Sequence, residues 1–134
     1  MSVQSSIRYT VPADIQTVWR TVTSLTDYAW RSDLAKIERL DDTQFVEHTQ
    51  SGAATLFRVT QTQPPHLWAF DMENDYFSGH WTGRFTALDD NRTELDFAED
   101  ITLKKRLPRW LVKFYLRRQQ QKYRRDLCRK LQNV

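Results

Sequence analysis

The segment Ile7–Leu40 constrains the fold more than any other part of the chain, because its hydrophobic period changes twice. Residues 3–10 alternate apolar and polar side chains, which predicts a half-buried strand. Pro12 and Asp14 follow, and both residue types favour the start of a helix. Apolar residues then recur at helical spacing and form one apolar face. They are Ile15, Val18, Trp19, Val22 and Leu25.

A further short helical turn is expected directly after this helix. Thr26 and Asp27 are typical helix-starting residues, and the segment that follows carries Tyr28 and Trp30. After Asp33 the hydrophobic period becomes that of strands.

Six further segments have the period and the flanking turn residues of strands. They are residues 34–40, 44–50, 54–62, 67–73, 77–88 and 93–103. The last three have one apolar and one polar face, which is typical of an antiparallel sheet covered on one side. Gly79 and Gly83 lie on the apolar face, where glycine permits strong curvature or a close approach.

A final helix is predicted from Pro108 to about Gln132, and it is the natural cover for the apolar face of the sheet. Its stripe contains Gln120 among apolar residues, which are Leu116, Tyr123, Leu127 and Leu131. The segment Trp110–Leu116 is apolar on nearly all sides of the helix. Such a segment is either buried on several sides or forms an exposed patch, and a dimer interface, a lid and a core position all remain open for it.

The positive charge is concentrated in this final helix. Residues 1–103 hold 8 Lys/Arg and 16 Asp/Glu, a net charge of −8, whereas residues 104–134 hold 12 Lys/Arg and one acid, a net charge of +11. Either the basic helix docks on the acidic body of the same chain, or it attracts phosphate groups of lipid or nucleic acid.

Length and composition narrow the class of protein. A chain of 134 residues is expected to form one domain, residues 1–134. No apolar run approaches the roughly 20 residues of a membrane span, and Met1–Ser6 lacks an apolar signal segment. The single cysteine, Cys128, leaves no internal disulfide. We therefore expect a cytoplasmic protein.

Taken together, the chain resembles the START/Bet v 1-like (SRPBCC) superfamily, and within it the small bacterial polyketide cyclase/dehydrase-like proteins. The resemblance spans nearly the whole chain in element order. It is carried by Ile7–Val11, Pro12-Ala13-Asp14-Ile15, Val18-Trp19, Leu25-Thr26-Asp27-Tyr28, Trp30, Leu34–Ile37, Phe77-Ser78-Gly79, Trp81, Gly83 and the closing amphipathic helix.

The resemblance implies an α+β helix-grip fold of order β-α-α-β6-α, in which a curved, seven-stranded antiparallel sheet wraps around the long C-terminal helix. It further implies a hydrophobic cavity between sheet and helix. Members of the superfamily bind lipids, sterols, polyketides or other apolar molecules, and some cyclise polyketides. The superfamily shares no catalytic residue set, so none is transferred to this chain.

Residues that face inward on the strands, or that lie on the apolar stripe of the final helix, are candidates to line such a cavity. The candidates are Trp30, Phe57, Trp68, Phe70, Phe77, Trp81, Phe85, Phe97 and Tyr123. The alternative is that these rings only fill the core.

Two polar residues interrupt the apolar pattern. Glu99 lies between Phe97 and Ile101 on the inward parity, and a buried carboxylate must be hydrogen-bonded, protonated or close to water. Gln120 lies in the middle of the helix stripe. Both are candidates to orient a ligand, and Glu99 is a weak candidate for a catalytic acid or base. The alternatives are a solvent-exposed strand end for Glu99 and a backbone hydrogen bond for Gln120.

No motif for a metal or a cofactor is present. His48, His66 and His80 fall on different elements without metal-binding spacing, and surface positions are expected for them. Cys128 is expected to be a passive thiol. The sequence lacks G-x-S-x-G and any Gly-rich phosphate loop, since its three glycines are isolated.

Three functions remain open at this point. The first is a non-catalytic carrier or sensor of a small apolar ligand. The second is an enzyme of the cyclase or dehydratase type that uses Glu99, with Tyr123 as a second candidate. The third is an interaction module in which residues 104–130 contact an anionic membrane surface. Nucleic acid ranks below lipid as a partner, because no base-stacking motif is present.

Overall fold

The computed structural model describes residues 2–132, which form seven strands and two helices. In chain order these elements are β1 (Ser2–Val11), α1 (Ile15–Thr23), β2 (Leu34–Arg39), β3 (Gln44–Thr49), β4 (Ala54–Gln63), β5 (Leu67–Glu73), β6 (Phe77–Asp89), β7 (Arg92–Leu103) and α2 (Arg109–Gln132). The predicted strands are confirmed to within about two residues, because alternating burial fixes strand limits well.

The strands form one antiparallel sheet in the order β1-β7-β6-β5-β4-β3-β2. Consecutive strands from β2 to β7 are neighbours, and β1 completes the sheet beside β7 with Ser2 opposite Thr102 and Val11 opposite Thr93. The long helix α2 lies over one face of this sheet. This is the α+β helix-grip architecture that the sequence predicted.

The helix α1 begins one residue after Asp14, which is its N-cap. Asp14 Oδ2 accepts a hydrogen bond of 3.1 Å from the Thr17 amide, so the acid closes the helix start and lies in the favourable field of its N-terminus. Pro12, expected in the first turn, lies before the cap instead. Val18, Trp19 and Val22 form the buried face of α1.

The short second helix that we expected after α1 is absent from the described residues, and residues 24–33 form turns. Ser24 Oγ accepts hydrogen bonds from the Thr26 and Asp27 amides, and the Asp27 carbonyl accepts one from the indole of Trp30. These local bonds give the backbone an alternative to a helix. Residues 24–33 therefore differ from the prediction only in their local structure, and the predicted architecture around them is unchanged.

The α2 backbone packs against β1, an edge strand, and so covers one side of the curved sheet. Val112, Leu116, Leu127 and Leu131 are buried beneath the helix. Because the helix sits close to one edge, a space remains between it and the middle strands. No helix within residues 2–132 is both long and apolar enough to cross a membrane.

A carboxylate on α2 fastens the turn segment to the helix. Asp126 is buried, and its Oδ2 accepts hydrogen bonds of 2.9 Å from the amide and 2.8 Å from the hydroxyl of Ser32. Asp126 is the one acid among residues 104–134, so this contact gives it a structural role. It holds residues 24–33 beside the cavity.

Candidate functional site

A cavity of about 920 Å³ lies between the inner face of the sheet and α2. We call it the central cavity. Its walls are mainly apolar, and all the predicted lining residues except Phe85 border it. Those that border it are Trp30, Phe57, Trp68, Phe70, Phe77, Trp81, Phe97, Glu99, Gln120 and Tyr123.

The aromatic rings of the wall also pack on one another. Phe70 and Trp81 stack with ring centroids 4.7 Å apart, and Phe45 and Phe57 stack at 5.0 Å. Trp68 meets Phe70 edge to face at 5.2 Å. Core packing and cavity lining, which the sequence left as alternatives, therefore coexist in the same rings.

Gly83 sets the position of one of these rings. A Cβ atom at Gly83 would overlap the six-membered ring of Trp81 and would lie 3.1 Å from Phe97 Cε1. The missing side chain lets Trp81 lie back along its own strand. Gly79 likewise admits a close approach, since a Cβ there would lie 2.7 Å from the Asp100 carbonyl oxygen. The predicted close approach at both glycines is confirmed.

Phe85 is the exception among the predicted lining residues. Its side chain is 2% exposed and packs edge to face on Trp19, with centroids 5.1 Å apart, and on Phe97. The parity of Phe85 is inward, as predicted, but α1 covers this end of the sheet. Phe85 is therefore a core residue outside the central cavity.

Glu99, Gln120 and Ser5 form a hydrogen-bonded row at the cavity wall. Ser5 Oγ donates to Gln120 Oε1 at 3.1 Å, and Gln120 Nε2 donates to Glu99 Oε1 at 3.3 Å. Ser5 and Glu99 are directly opposite on β1 and β7, so both side chains point to the face that α2 covers. Within residues 2–132, Glu99 Oε2 accepts no hydrogen bond.

Burial changes the chemistry of this carboxyl group. Desolvation raises the pKa of Glu99 to about 7, although the Gln120 hydrogen bond acts in the opposite direction. At neutral pH the group therefore exchanges between acid and carboxylate. In either form it offers a hydrogen-bonding partner to a molecule in the cavity. Of the alternatives that the sequence left open, a solvent-exposed strand end at Glu99 and a backbone hydrogen bond for Gln120 are not what the described residues show, since Glu99 is half-buried and Gln120 bonds to two side chains.

A second polar group lies at the wall beside Tyr123. Arg31 donates to Glu47 at 2.8 Å and to Asp33 at 3.1 Å, and its guanidinium lies 5.3 Å from the centroid of the Tyr123 ring. Burial acts to lower the pKa of Arg31, but the charge and hydrogen bond of Glu47 outweigh it, and the pKa is raised. The cation is therefore retained.

Sequence reasoning missed this pair. Arg31 lies in a turn, where no periodic pattern indicates which side chains face inward. Glu47 could have been found, because it lies on the same side of β3 as the buried Phe45. That is the same pattern that singled out Glu99. Tyr123 itself contacts Trp30 edge to face at 5.4 Å, and burial raises the pKa of its hydroxyl group. The Tyr123 hydroxyl is thus held in its neutral form.

The histidines lie away from the central cavity. His80 and His48 contact carboxylates, with His80 Nδ1 2.7 Å from Asp71 Oδ1 and His48 Nε2 3.2 Å from Glu38 Oε1. His66 is exposed in a turn. Across residues 2–132, no group of three or more His, Cys, Asp or Glu side chains is placed to hold a metal ion.

The sequence of this chain matches a known family. The family model described as "Polyketide cyclase / dehydrase and lipid transport" matches residues 2–134. The chain belongs to this family. The family and the helix-grip fold are consistent with a domain that binds small hydrophobic ligands. Among curated proteins, none matches this chain.

Solved structures share the fold of this family member at low sequence identity. A START superfamily protein from Mycobacterium smegmatis is 15% identical with a TM-score of 0.88, and the match covers 97% of each chain. The Zhui aromatase/cyclase from Streptomyces sp. R1128 is 15% identical with a TM-score of 0.83, covering 98% of this chain and 94% of that one.

The norcoclaurine synthase from Thalictrum flavum, solved in complex with dopamine and hydroxybenzaldehyde, is also similar. It is 10% identical with a TM-score of 0.72, and the match covers 99% of this chain and 88% of that chain. At such identities the likeness of all three structures extends to the fold alone.

Proposed function

We propose that this protein binds a small apolar molecule with one hydrogen-bonding group in the central cavity. The observation that carries the proposal is a space of about 920 Å³ with ring-lined walls and a hydrogen-bonded carboxyl group at its surface. Ligand sites in proteins are commonly apolar cavities of a few hundred to about 1,000 Å³ with few polar groups. The apolar part of the molecule contacts Phe70 and Trp81, and its polar group pairs with Glu99 or Gln120.

Binding of the fluorescent apolar probe N-phenyl-1-naphthylamine tests this proposal, together with native mass spectrometry of the purified protein. Ile37→Trp adds bulk to the cavity wall from β2, so it should weaken probe binding by about tenfold or more. Val46→Trp is the matched control. Val46 lies on the adjacent strand next to the partner of Ile37, but does not border the cavity.

Equal probe binding by both variants and the wild type, with no ligand retained in native mass spectra, would contradict the proposal. Whether the protein is a carrier or a sensor, probe binding should weaken in Ile37→Trp and should be retained in Val46→Trp. Phe85→Leu adds a second control, because it perturbs the core at a residue that does not itself border the cavity.

Acid–base catalysis by Glu99 is a second candidate, favoured by its pKa of about 7. A group of that pKa both accepts and donates a proton near neutral pH. In a dehydration of the cyclase/dehydratase type, the Glu99 carboxylate removes a proton from a carbon beside a carbonyl group. The protonated Glu99 then returns that proton to the departing hydroxide, which leaves as water as the carbon–carbon double bond forms.

A β-hydroxy ketone, which carries the carbonyl group and the hydroxyl group that this step needs, tests this second function, since an aromatase/cyclase shares the fold. Glu99→Gln should retain binding of N-phenyl-1-naphthylamine and lose turnover by at least about a hundredfold. Glu94→Gln, on the outward parity of the same strand, is the control. Turnover that persists in Glu99→Gln would remove the catalytic role and leave the binding function intact.

A further inference from the structure

An exposed apolar surface lies beside the opening of the central cavity. We define the mouth patch as Leu107, Trp110, Leu111, Phe114 and Tyr115. Their exposed fractions range from 39% for Leu111 to 72% for Trp110. All of them except Trp110 also border the cavity. The sequence allowed Trp110–Leu116 to be either buried on several sides or exposed as an apolar patch. The exposed patch is observed, although Val112 and Leu116 are buried.

The mouth patch is surrounded by cations. Residues 104–125 contain ten Lys/Arg and no Asp/Glu. Within residues 2–132, Lys104 is the one member of this set that forms a salt bridge, at 3.2 Å from Glu73. The acidic body of the chain therefore forms almost no direct ion pairs with this basic segment, which leaves its cations available to a second anionic surface.

Cations and rings share the outer side of α2. Trp110 and Phe114 are one helical turn apart, on the side away from buried Val112 and Leu116. The Arg118 guanidinium, one turn further along, lies 5.9 Å from the centroid of the Phe114 ring. A helix surface of large apolar side chains mixed with Lys and Arg is typical of helices that lie in a membrane interface.

We propose that the mouth patch docks on an anionic lipid bilayer. The apolar side chains enter the headgroup region, the surrounding Lys and Arg contact lipid phosphates, and the opening of the central cavity faces the bilayer. Docking does not depend on what the cavity binds. Where the proposed ligand is membrane-derived, the same geometry gives it a path that avoids water.

The charge distribution of the whole chain fixes the orientation. Residues 1–103 carry a net charge of −8 and residues 104–134 a net charge of +11, so an anionic surface attracts α2 and repels the sheet. Two copies meeting through the mouth patch would bring two sets of unpaired cations together, which opposes a dimer. Nucleic acid would pair with the cations, but gains little from exposed Leu107 and Leu111.

Co-sedimentation with vesicles tests the proposal. The wild-type protein should bind vesicles of phosphatidylcholine mixed with phosphatidylglycerol, and should bind pure phosphatidylcholine at least about tenfold more weakly. Salt should weaken the binding, because screening reduces the attraction between the cations and the lipid phosphates. Trp110→Ala combined with Phe114→Ala should lower the affinity by about tenfold. Leu88→Ala is the matched control, since Leu88 is exposed at the far end of β6.

The charge contribution is tested by Arg117→Glu combined with Arg118→Glu, which should reduce binding by about tenfold or more. Arg84→Glu is the control, because Arg84 is exposed on β6 away from the patch. Brominated phosphatidylglycerol should quench the fluorescence of Trp110. Trp110→Phe should retain vesicle binding and lose most of this quenching, which separates insertion of the ring from adsorption of the protein.

Three results would overturn the proposal. One is equal binding to neutral and anionic vesicles. Another is vesicle binding that Arg84→Glu and Arg117→Glu/Arg118→Glu weaken alike. The third is a dimer that Trp110→Ala/Phe114→Ala dissociates, with no vesicle binding by the monomer. Because N-phenyl-1-naphthylamine binding is measured without vesicles, failure of docking and failure of the proposed ligand function are distinguishable.

Discussion

Gln120 Nε2 donates a hydrogen bond of 3.3 Å to Glu99 Oε1, and this contact joins the middle of α2 to β7 at the wall of the central cavity. Ser5 extends the row to β1. The first strand and the last two elements of the chain thus meet through polar side chains, where Glu99 interrupts the apolar pattern of β7 and Gln120 that of α2.

The raised pKa of Glu99 predicts that stability falls as pH rises. Between about 4.5 and about 7 the unfolded chain has lost this proton and the folded protein retains it, so the free energy of unfolding decreases across that window. Glu99→Gln removes this dependence, which amounts to about 3 kcal/mol. Urea unfolding of the two proteins at several pH values measures it. Glu94→Gln should keep the wild-type slope, and a slope retained in Glu99→Gln would refute the assignment.

Gln120→Leu should raise the pKa of Glu99 further. The Gln120 amide stabilises the carboxylate form, and leucine removes this donor without opening the site to water. A carboxyl-carbon NMR titration of the labelled protein reports the change. The adjacent Gln121→Leu, at an exposed position, should leave the titration as it is in the wild type. A Glu99 pKa that falls in Gln120→Leu would show that the hydrogen bond does not act as described.

Gly83→Ala should destabilise the protein by about 1–3 kcal/mol, because a methyl group there overlaps the ring of Trp81. The measurement is urea unfolding, with tryptophan fluorescence as a second readout. Replacing the ring by Trp81→Phe should absorb most of this cost, so the double variant should show a coupling energy of at least about 1 kcal/mol. Additive effects of the two substitutions would mean that the ring does not occupy this space.

Asp126→Ala should cost about 2 kcal/mol and increase hydrogen exchange at the Ser32 amide, because both hydrogen bonds of Ser32 to the buried carboxylate are lost. Asp27→Ala is the matched control. Asp27 lies in the same segment and forms an exposed ion pair with Lys130 at 3.5 Å, so its loss should cost less than about 1 kcal/mol. If the two substitutions had equal effects, residues 24–33 would be held to α2 by general charge attraction and not by the hydrogen bonds of Asp126 to Ser32.

Local patterns predicted most of the fold. Side-chain alternation located all seven strands, and the cap and proline signals located both helices, because these features depend on neighbouring residues. The same parity identified Glu99 and most of the cavity wall. A residue two positions along a strand must face the same side, so the inward set could be read without knowing the sheet order.

Contacts between distant segments were not predictable in this way. The bond between Ser32 and Asp126 spans 94 residues, and neither side chain interrupts a pattern. Arg31 similarly meets Glu47 through a turn whose path depends on α2. Phe85 shows the converse: its parity is correct, but only the placement of α1 decides that it is packed away from the cavity.

The position of β1 has a consequence for synthesis of the chain. Its strand partner is β7, so Ser2–Val11 emerges from the ribosome long before Arg92–Leu103 exists. Until translation passes residue 103, the alternating apolar side chains of the first strand have no native edge to join. An early-terminated product therefore carries an unmatched, aggregation-prone segment at its amino end.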